Sequence, residues 1–353
     1  MNRLVIVGNG FDLAHGLQTG YEHFLVDYFK KSILEASKNE GHFSDDFIQI
    51  SISPDVLLKD NAKELIEKIE TLSELQNHQS IDFNSEAKSN QQLINELENS
   101  PIIQIRIENV YFKQLLFNKN WTDIEYFYYR RLIKLEPDNL KILNHFFETL
   151  QTKLIAYIQP INETIPKHEV LQPLKSSSKR MFDGFNDEID KMLFVNFNYT
   201  ELLFKYVTLD RHQNHNLIYI HGKIRDKESV IFGYGDDSDE NYKQLENAVN
   251  DDFLVNIKSF KYPLENNYSK LIEFIDSGEF EVFCVGHSLG VSDRVLLKTI
   301  FEDKNCKKIR LFHRGDKKSY FRKCIAISRH FTDKIEMRKK LVDYDEMDVL
   351  KKD

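Results

Sequence analysis

Paired cysteines, a long apolar run and an excess of positive charge are all missing from this sequence. Its three cysteines, Cys284, Cys306 and Cys324, lack the spacing of a zinc site or a disulfide framework, which predicts a reducing environment. No apolar run is long enough to span a bilayer, and no signal-like segment opens the chain. The net charge of −8 gives no global support for binding nucleic acid. We therefore expect a cytoplasmic protein with no bound metal and no clear nucleic-acid or membrane partner.

The first apolar stretch of the chain ends in two glycines. Residues 4–7 are consecutive Leu, Val, Ile and Val, a pattern typical of a strand buried on both faces. Gly8 and Gly10 then allow the backbone to turn sharply and to approach a ligand closely. A helix is predicted next, because Thr19 and Glu22 have the spacing of a capping box and apolar residues follow at helical spacing. A strand, a glycine turn and a helix open a dinucleotide-binding α/β fold.

This turn matches the dinucleotide fingerprint only in part. Leu13 replaces the third glycine, and no second strand ends in an acidic residue at the spacing that dehydrogenases use for ribose recognition. Hydride transfer is therefore not favoured. Asn9 and Asp12 either cap the following segment or face a ligand, and the turn alone favours capping.

Apolar runs in the second half of the chain repeatedly end in polar residues or glycine. The runs, each predicted to be a strand, are residues 192–195, 217–220, 230–232, 280–285 and 309–312. In an open parallel sheet, ligands bind beyond the carboxyl ends of the strands. The sequence therefore predicts an α/β protein with a mostly parallel sheet and one site built from at least four loops.

Two helices are predicted between these halves. The first begins near Trp121, where Thr122 and Glu125 have capping-box spacing, which gives Glu125 a structural explanation. Trp121 could stack on a ring and Asp123 could hold a hydroxyl, although core packing is the commoner fate of a tryptophan. The second helix covers residues 140–158, and Pro160 is predicted to end it.

Asn198 and His221 each lie just after a predicted strand. Cleavage of an N-glycosidic bond needs a group that holds the ribose or a water, and a base of near-neutral pKa that removes a proton. Asn and His can supply these two functions. A turn asparagine and a hydrogen-bonded structural histidine are the alternative, and the convergence of several loops favours a site.

The run Gly286-His287-Ser288-Leu289-Gly290 matches the nucleophile elbow of α/β-hydrolases. The order of residues also permits a serine triad that is completed by Asp293 or Asp316 and by His313 or His330. The strand is late in the chain and no oxyanion-hole glycine run precedes it, so an esterase-like hydrolase using Ser288 ranks second. If Ser288 is not a nucleophile, this loop either places Ser288, Ser292 and Asp293 against a nucleotide or only caps the next helix.

Several motifs in combination resemble one family over nearly the whole chain. They are residues 7–12 with His15, Gly16, Thr19 and Tyr21, then residues 121–125, 196–200, 221–222, 232–234 and 286–293. Together they resemble the bacteriophage abortive infection family called AbiH. The order of the motifs is similar to that of sirtuin-like domains from bacterial antiviral systems.

The resemblance implies a sirtuin-like Rossmann core and hydrolysis of NAD, as substrate, at its nicotinamide–ribose bond to starve an infected cell. On that mapping Asn198 positions a water or the ribose, and His221 is the general base. The implied nucleotide-binding residues are Gly8, Asn9, Gly10, Phe11, Asp12, Trp121, Asp123, Gly286, His287, Ser288 and Asp293. Thr200 stands where related domains commonly carry Asp, and the zinc-binding cysteines of deacetylating sirtuins are missing.

The predicted organisation is a Rossmann-like α/β core, flanked by helices, with a helical insertion. Residues 1–37 and 185–335 form the core, residues 38–184 form a mainly helical insertion with a polar stretch at 76–100, and residues 336–353 form a tail. A phage-derived trigger and a homo-oligomer are left open. A non-catalytic module that senses a nucleotide or a phage protein is the third hypothesis for function.

Overall fold

The computed structural model describes residues 1–54, 95, 98–99, 103–116, 118, 120–134, 139–165, 189–209, 215–236 and 240–350. The chain forms two compact units. The first contains Met1–Thr19, Glu125–Asn144 and Gln151–Asp353, and the second contains Gly20–Ile124 and His145–Leu150. Most of the predicted polar stretch at 76–100 lies outside the described residues.

The strands in chain order are β1 (Asn2–Val7), β2 (His42–Ser44), β3 (Ile48–Ile52), β4 (Ile103–Ile107), β5 (Met192–Asn196), β6 (His215–Tyr219), β7 (Phe280–Val285) and β8 (Cys306–Leu311). The α-helices are α1 (Asn9–Ala14), α2 (Tyr21–Lys38), α3 (Val110–Leu115), α4 (Trp121–Leu132), α5 (Leu140–Thr164), α6 (Leu202–Leu209), α7 (Glu240–Asn247), α8 (Asn267–Asp276), α9 (Arg294–Glu302), α10 (Lys317–Ser328) and α11 (Lys334–Lys340). Short 3₁₀ turns include Lys227–Ser229, Lys258–Phe260 and Val291–Asp293. Among the described helices, none is both long enough and apolar enough to cross a bilayer.

A five-stranded parallel sheet is the centre of the first unit. Its strands lie in the order β6-β5-β1-β7-β8, and every neighbouring pair runs parallel. This is the third, second, first, fourth and fifth strand of the sheet in chain order, which is the doubly wound arrangement of Rossmann-like folds. The predicted α/β fold with a parallel sheet flanked by helices is confirmed. From β1 the chain adds β5 and then β6 on one side of the sheet, and it later adds β7 and β8 on the other side. The direction of winding therefore reverses at β1.

The central strand β1 is buried on both faces, as predicted. Leu4 and Ile6 belong to an apolar cluster with residues of α8 and α9, whereas Val5 and Val7 belong to another with residues of α1 and α6. All four side chains are fully buried. Successive side chains of a strand point to opposite faces, so the sheet is covered by helices on both sides.

The second unit contains a small antiparallel sheet of β2, β3 and β4, which the sequence analysis did not predict. It lies within the range predicted as a mainly helical insertion. In β3 and β4 the isoleucines are buried and the residues between them are exposed. That strict alternation in Ile-Gln-Ile-Ser-Ile and Ile-Gln-Ile-Arg-Ile is the period of a half-buried strand, so the signal was present in the sequence.

Residues 230–232, predicted to be a strand, form none. The Ile231 N–H donates to the His221 carbonyl at 2.9 Å, and the Tyr199 hydroxyl donates to the Ile231 carbonyl at 3.0 Å. The Val230 carbonyl accepts from the Gln151 side chain of α5 at 3.2 Å. The peptide groups of Ile231 and the carbonyl of Val230 are therefore paired with loops and a side chain, and not with a neighbouring strand. Apolar residues are buried in a strand and also in an irregular segment such as this one, so the apolar run alone did not distinguish the two.

The prediction that Pro160 ends the preceding helix is also wrong, because α5 continues to Thr164. Asn162, in the last turn, accepts a hydrogen bond from the Glu201 N–H at 2.8 Å and donates one to the Glu201 carboxylate at 3.2 Å. Ile165 beyond it is buried. We attribute the continuation to these contacts, which offset the roughly 3 kcal/mol that an interior proline costs a helix.

Candidate functional site

The loop after β1 and the loop after β7 are in direct backbone contact. The Gly8 N–H donates to the Val285 carbonyl at 3.0 Å, and the Gly10 N–H donates to the Gly286 carbonyl at 2.8 Å. A Cβ on Gly10 would lie 2.6 Å from the Gly286 oxygen. Gly10 therefore permits the approach of another part of the protein backbone, whereas the sequence pattern predicted the approach of a ligand.

Asn9 cross-links the ends of its own segment and caps no helix. Its amide donates to the Thr19 carbonyl at 3.3 Å, and the Thr19 hydroxyl donates to Asn9 Oδ1. The N-caps of α1 and α2 are Gly8 and Gly20, and neither has a side-chain capping bond. The predicted capping by Asn9, and the capping box that starts at Thr19, are wrong because both side chains bond to each other.

Asp12, predicted from the turn alone to cap, instead joins the β1 loop to the loop after β5. Asn198 Nδ2 donates to Asp12 Oδ1 at 2.9 Å, and the Thr200 hydroxyl donates to Asp12 Oδ2 at 2.6 Å. All three side chains are buried. Burial raises the pKa of Asp12 to about 7, even though both hydrogen bonds favour the carboxylate. Because the Asp12 carboxylate accepts this hydrogen bond, the Nδ2 end of the Asn198 amide faces Asp12.

His221, after β6, faces a buried cluster of charges. Its Nε2 lies 3.2 Å from Asp293 Oδ1, and the same oxygen accepts a hydrogen bond from Lys258 Nζ at 2.8 Å. Lys258 Nζ also contacts both oxygens of Glu125, at 2.9 and 3.0 Å. Each of these four residues is at most 5 % exposed. Buried charges are expensive unless paired, and this cluster pairs one ammonium with two carboxylates.

The cluster shifts the pKa of each of its members. Burial lowers the pKa of His221, as does the charge of Lys258, and Asp293 opposes them only in part. Burial also raises the pKa of Glu125, but the Lys258 ammonium on both of its oxygens and the Gly233 N–H favour the carboxylate. Burial would raise the pKa of Asp293, but Lys258 and His221 outweigh it and hold that pKa well below its usual range. At neutral pH the cluster thus contains a neutral imidazole beside an ionised carboxylate.

His287, in the β7 loop, lies near the other oxygen of the same carboxylate. Its Nδ1 accepts a hydrogen bond from the Leu289 N–H at 3.0 Å, so the proton of the neutral ring is on Nε2. Nε2 lies 3.6 Å from Asp293 Oδ2. Burial lowers the pKa of His287 to about 3. The rings of His221 and His287 both pack edge-on against Phe197, with centroid distances of 5.1 and 4.3 Å.

A short backbone ladder places Lys258. The Tyr234 N–H donates to the Asn256 carbonyl at 3.2 Å, and the Lys258 N–H donates to the Tyr234 carbonyl at 2.8 Å. Gly233 has a φ of +158°, and a Cβ there would lie 2.1 Å from the Asn256 oxygen. The Gly233 N–H donates to Glu125 Oε1 at 3.3 Å. The glycine motif at 233–235 thus positions both Lys258 and Glu125.

Sequence reasoning missed Glu125 and Lys258. Glu125 was explained by a capping box with Thr122, but its carboxylate binds Lys258 and the Gly233 N–H. The capping contact at the start of α4 belongs to Asp123, which accepts hydrogen bonds from the main-chain and side-chain nitrogens of Asn120 at 3.2 and 3.1 Å. Lys258 lies in no motif, so nothing in the sequence singled it out.

Two of the predicted nucleotide-binding residues, Trp121 and Asp123, belong to the second unit. Trp121 packs against Tyr21 and Phe24, with ring centroids 5.0 and 5.4 Å apart. Asp123 caps α4. The structure thus gives each of them a local structural role, and they form no part of the cluster around His221.

The loop at Ser288 does not have the geometry of a nucleophile elbow. In such an elbow the serine itself sits on a strained strand-to-helix turn. Here the positive φ angles are at Gly286 (+65°) and Leu289 (+58°), and α9 begins only at Arg294. Of the other residues proposed for the triad, His330 Nε2 bonds to the Leu289 carbonyl at 2.9 Å, Asp316 caps α10, and Asp293 binds Lys258. The fourth, His313, is buried, and neither of its ring nitrogens has a hydrogen-bond partner within the described residues.

A cavity of about 560 Å³ lies at the opposite, amino end of β8. Cys306 and Phe331 line it together with the lysines Lys304, Lys307, Lys339 and Lys340 and the acids Glu302, Asp333 and Glu336. It contains none of the predicted site residues. Within the described ranges, His, Cys, Asp and Glu side chains form no group of three that could hold a metal ion.

Comparison with known proteins identifies the family of the chain. No curated protein matches it. The family model described as bacteriophage abortive infection AbiH matches residues 4–314. This match runs from β1 beyond β8, and therefore includes the β1 turn, Asn198, the His221 cluster and the β7 loop. The chain belongs to the bacteriophage abortive infection AbiH family.

Proposed function

We propose that this AbiH chain is an abortive-infection effector that binds NAD and hydrolyses its nicotinamide–ribose bond. The observation that carries the proposal is the buried contact of His221 Nε2 with Asp293 Oδ1 at 3.2 Å. It lies just beyond the carboxyl ends of β6 and β7, where ligands bind in doubly wound sheets. Clusters of buried groups with shifted pKa values are typical of catalytic sites.

The chemistry needs a base and does not need an acid. When the bond between ribose C1′ and the pyridinium nitrogen breaks, its electron pair neutralises the pyridinium, so nicotinamide leaves as a neutral molecule. A water then forms the new bond to the oxocarbenium-like C1′ and loses a proton. Nε2 of neutral His221, which makes no hydrogen bond of good geometry within the described residues, accepts that proton, and the charge of Asp293 at 3.2 Å stabilises the imidazolium that forms.

Asn198 is assigned to the ribose or to the attacking water. Its Nδ2 is bonded to Asp12 at 2.9 Å, which directs Oδ1 of the amide away from Asp12 and leaves it as an acceptor for a hydroxyl. The turns at residues 8–12 and 286–288 contribute a rigid edge, because the N–H groups of Gly8 and Gly10 pair with carbonyls of the β7 loop. The dinucleotide is proposed to lie along that edge.

The first test measures nicotinamide release from NAD by the purified chain. His221→Gln is expected to lower the rate by about 100-fold or more, the usual contribution of a positioned base. Asn198→Ala is expected to lower it because the ribose or the attacking water loses its acceptor. His145→Gln, at an exposed position of α5, serves as the matched control and should keep the wild-type rate. Release that is equal in the wild type and both site variants would contradict the assigned roles.

The second test supplies the phage-derived trigger, if one is required. Cells that express the chain are infected with a phage against which it protects, and cellular NAD is followed through infection. We expect NAD to fall with the wild type and with His145→Gln, but not with His221→Gln. Protection without loss of NAD, combined with a rise in melting temperature on adding NAD, would replace hydrolysis by a binding role.

A further inference from the structure

Lys258 and Glu125 are the two members of the buried cluster that no motif contains. They come from separate parts of the chain, Glu125 from α4 and Lys258 from the turn Lys258–Phe260. Lys258 is 1 % exposed and Glu125 is 5 % exposed. Since an unpaired buried ammonium is costly, a fold that only needed packing at this position would be served better by an apolar side chain.

The hydrogen bonds of Lys258 act on the oxygen that faces His221. Asp293 Oδ1 accepts from Lys258 Nζ at 2.8 Å and lies 3.2 Å from His221 Nε2. His221 Nε2 makes no hydrogen bond of good geometry within the described residues, although it is buried. The ammonium therefore fixes the carboxylate against a histidine nitrogen that is not otherwise held.

We propose that Lys258 and Glu125 are positioning residues of the candidate site. Lys258 holds Asp293 Oδ1 beside His221 Nε2, and Glu125 holds Lys258 through both of its carboxylate oxygens. This inference builds on the proposed function for its link to turnover. The geometry on which it rests is independent of NAD. Neither residue is assigned a contact with the substrate.

Several groups on neighbouring elements set the proton affinity of His221. Asp293 contacts it directly, and the charge of Lys258 acts through the shared oxygen. Asp293 also draws in His287, whose Nε2 lies 3.6 Å from Oδ2. The remaining ring neighbours, Phe197 and Tyr199, carry no charge at neutral pH. Removing the ammonium should therefore favour the imidazolium, and removing the Glu125 carboxylate should disfavour it.

The two substitutions are expected to change the pKa of His221 in opposite directions, and this difference can be measured. Histidine labelled with ¹³C and ¹⁵N is titrated by NMR in the full chain, and the His221 signal is assigned from its loss in His221→Gln. Lys258→Met should raise the pKa of His221 by about one unit or more, a tenfold gain in proton affinity. Glu125→Gln should lower it. Lys270→Met, on the exposed face of α8, is the matched control and should leave it unchanged.

A merely structural role predicts a different pattern. Loosening of the cluster by either variant would move the pKa of His221 upward, towards the value of a solvated histidine, so a rise in Glu125→Gln would overturn the proposal. If Lys258→Met does not fold, the double variant Glu125→Gln/Lys258→Met, which removes both charges of the pair, takes its place. It is expected to raise the pKa of His221, and an unchanged value would also overturn the proposal.

Turnover separates this inference from the proposed function. If NAD is hydrolysed, the acidic limb of the pH–rate profile should move with the pKa of His221 in each variant. Opposite NMR shifts without any nicotinamide release would retain the positioning roles and reject the hydrolase. Nicotinamide release that depends on His221, with a pKa of His221 that neither variant changes, would reject the positioning roles and retain the hydrolase.

Discussion

The hydroxyl of Thr200 donates a 2.6 Å hydrogen bond to Asp12 Oδ2. The structure gives a physical reason for threonine in this chain. Asp12 is buried and its other oxygen is bonded to Asn198, so a neutral donor at position 200 completes its hydrogen bonds, whereas a second carboxylate would face the first.

We expect Thr200→Val to lower the free energy of unfolding by about 1–3 kcal/mol, because the buried carboxyl group of Asp12 loses a donor. Thr200→Ser keeps the hydroxyl and should stay much closer to the wild type. Urea unfolding at pH 7 measures both changes. Equal stability of the valine and wild-type chains would show that Asp12 does not depend on this hydrogen bond.

The stability of the fold should also depend on the protonation of Asp12. Folding raises the pKa of Asp12 from 3.8 to about 7, so between these values the folded protein holds a proton that the unfolded chain has released. The free energy of unfolding therefore falls as the pH rises from about 4 to about 7. Asp12→Asn removes this contribution and keeps the size of the side chain, because the Thr200 hydroxyl can turn to accept from the new amide.

The measurement is the difference between wild-type and Asp12→Asn stability across that pH range. Relative to the variant, the wild type should lose up to roughly 4 kcal/mol between pH 4 and pH 7. Glu125, His221 and His287 titrate in both proteins and cancel in the difference. A difference that is constant with pH would mean that Asp12 is ionised in the fold at low pH.

Helix propensity and close packing predict opposite effects of Gly10→Ala on the free energy of unfolding. Gly10 lies in α1, where alanine would stabilise an isolated helix by about 1 kcal/mol. Its Cβ, however, would lie 2.6 Å from the Gly286 carbonyl oxygen, and backbone cannot move aside cheaply. We therefore expect a loss of about 1–3 kcal/mol in thermal or urea unfolding.

Gly20→Ala is the matched control for that substitution. The atoms nearest to its new Cβ belong to the flexible carboxylate of Glu22, which can rotate away, and its φ of −73° suits any residue. Because alanine is a poorer N-cap than glycine, its effect should be a loss of roughly 0.5–1 kcal/mol, smaller than that of Gly10→Ala. If Gly10→Ala were as stable as Gly20→Ala, the close contact of the β1 and β7 loops would not be part of the folded state.

Ser288 is expected to remain unlabelled by a fluorophosphonate probe. The backbone around it has no elbow, and His330 and Asp316 are bonded elsewhere. Intact-mass measurement after incubation with the probe decides the matter, with Ser288→Ala as the control for labelling at other sites. An adduct that is present in the wild type and missing from Ser288→Ala would restore the serine hydrolase hypothesis.

The sequence alone determined the architecture of the first unit. Four consecutive apolar residues in β1, and similar runs in β5 and β7, are local patterns typical of a parallel sheet that is covered on both faces. The positions at which these strands end also placed Asn198, His221 and the β7 loop at one edge of the sheet. Local pattern failed where backbone pairing was decided elsewhere, as at residues 230–232 and at Pro160.

The partners of each polar side chain were decided only by the tertiary structure. Thr19, Glu125 and Asp12 each had a plausible capping role from spacing, yet Thr19 bonds to Asn9, Glu125 binds Lys258, and Asp12 joins two loops. A hydrogen bond or an ion pair forms with whichever group folding brings within about 3 Å, and that distance is unrelated to separation along the chain. Lys258 is 133 residues from Glu125 and 35 from Asp293, so its role exists only in the folded molecule.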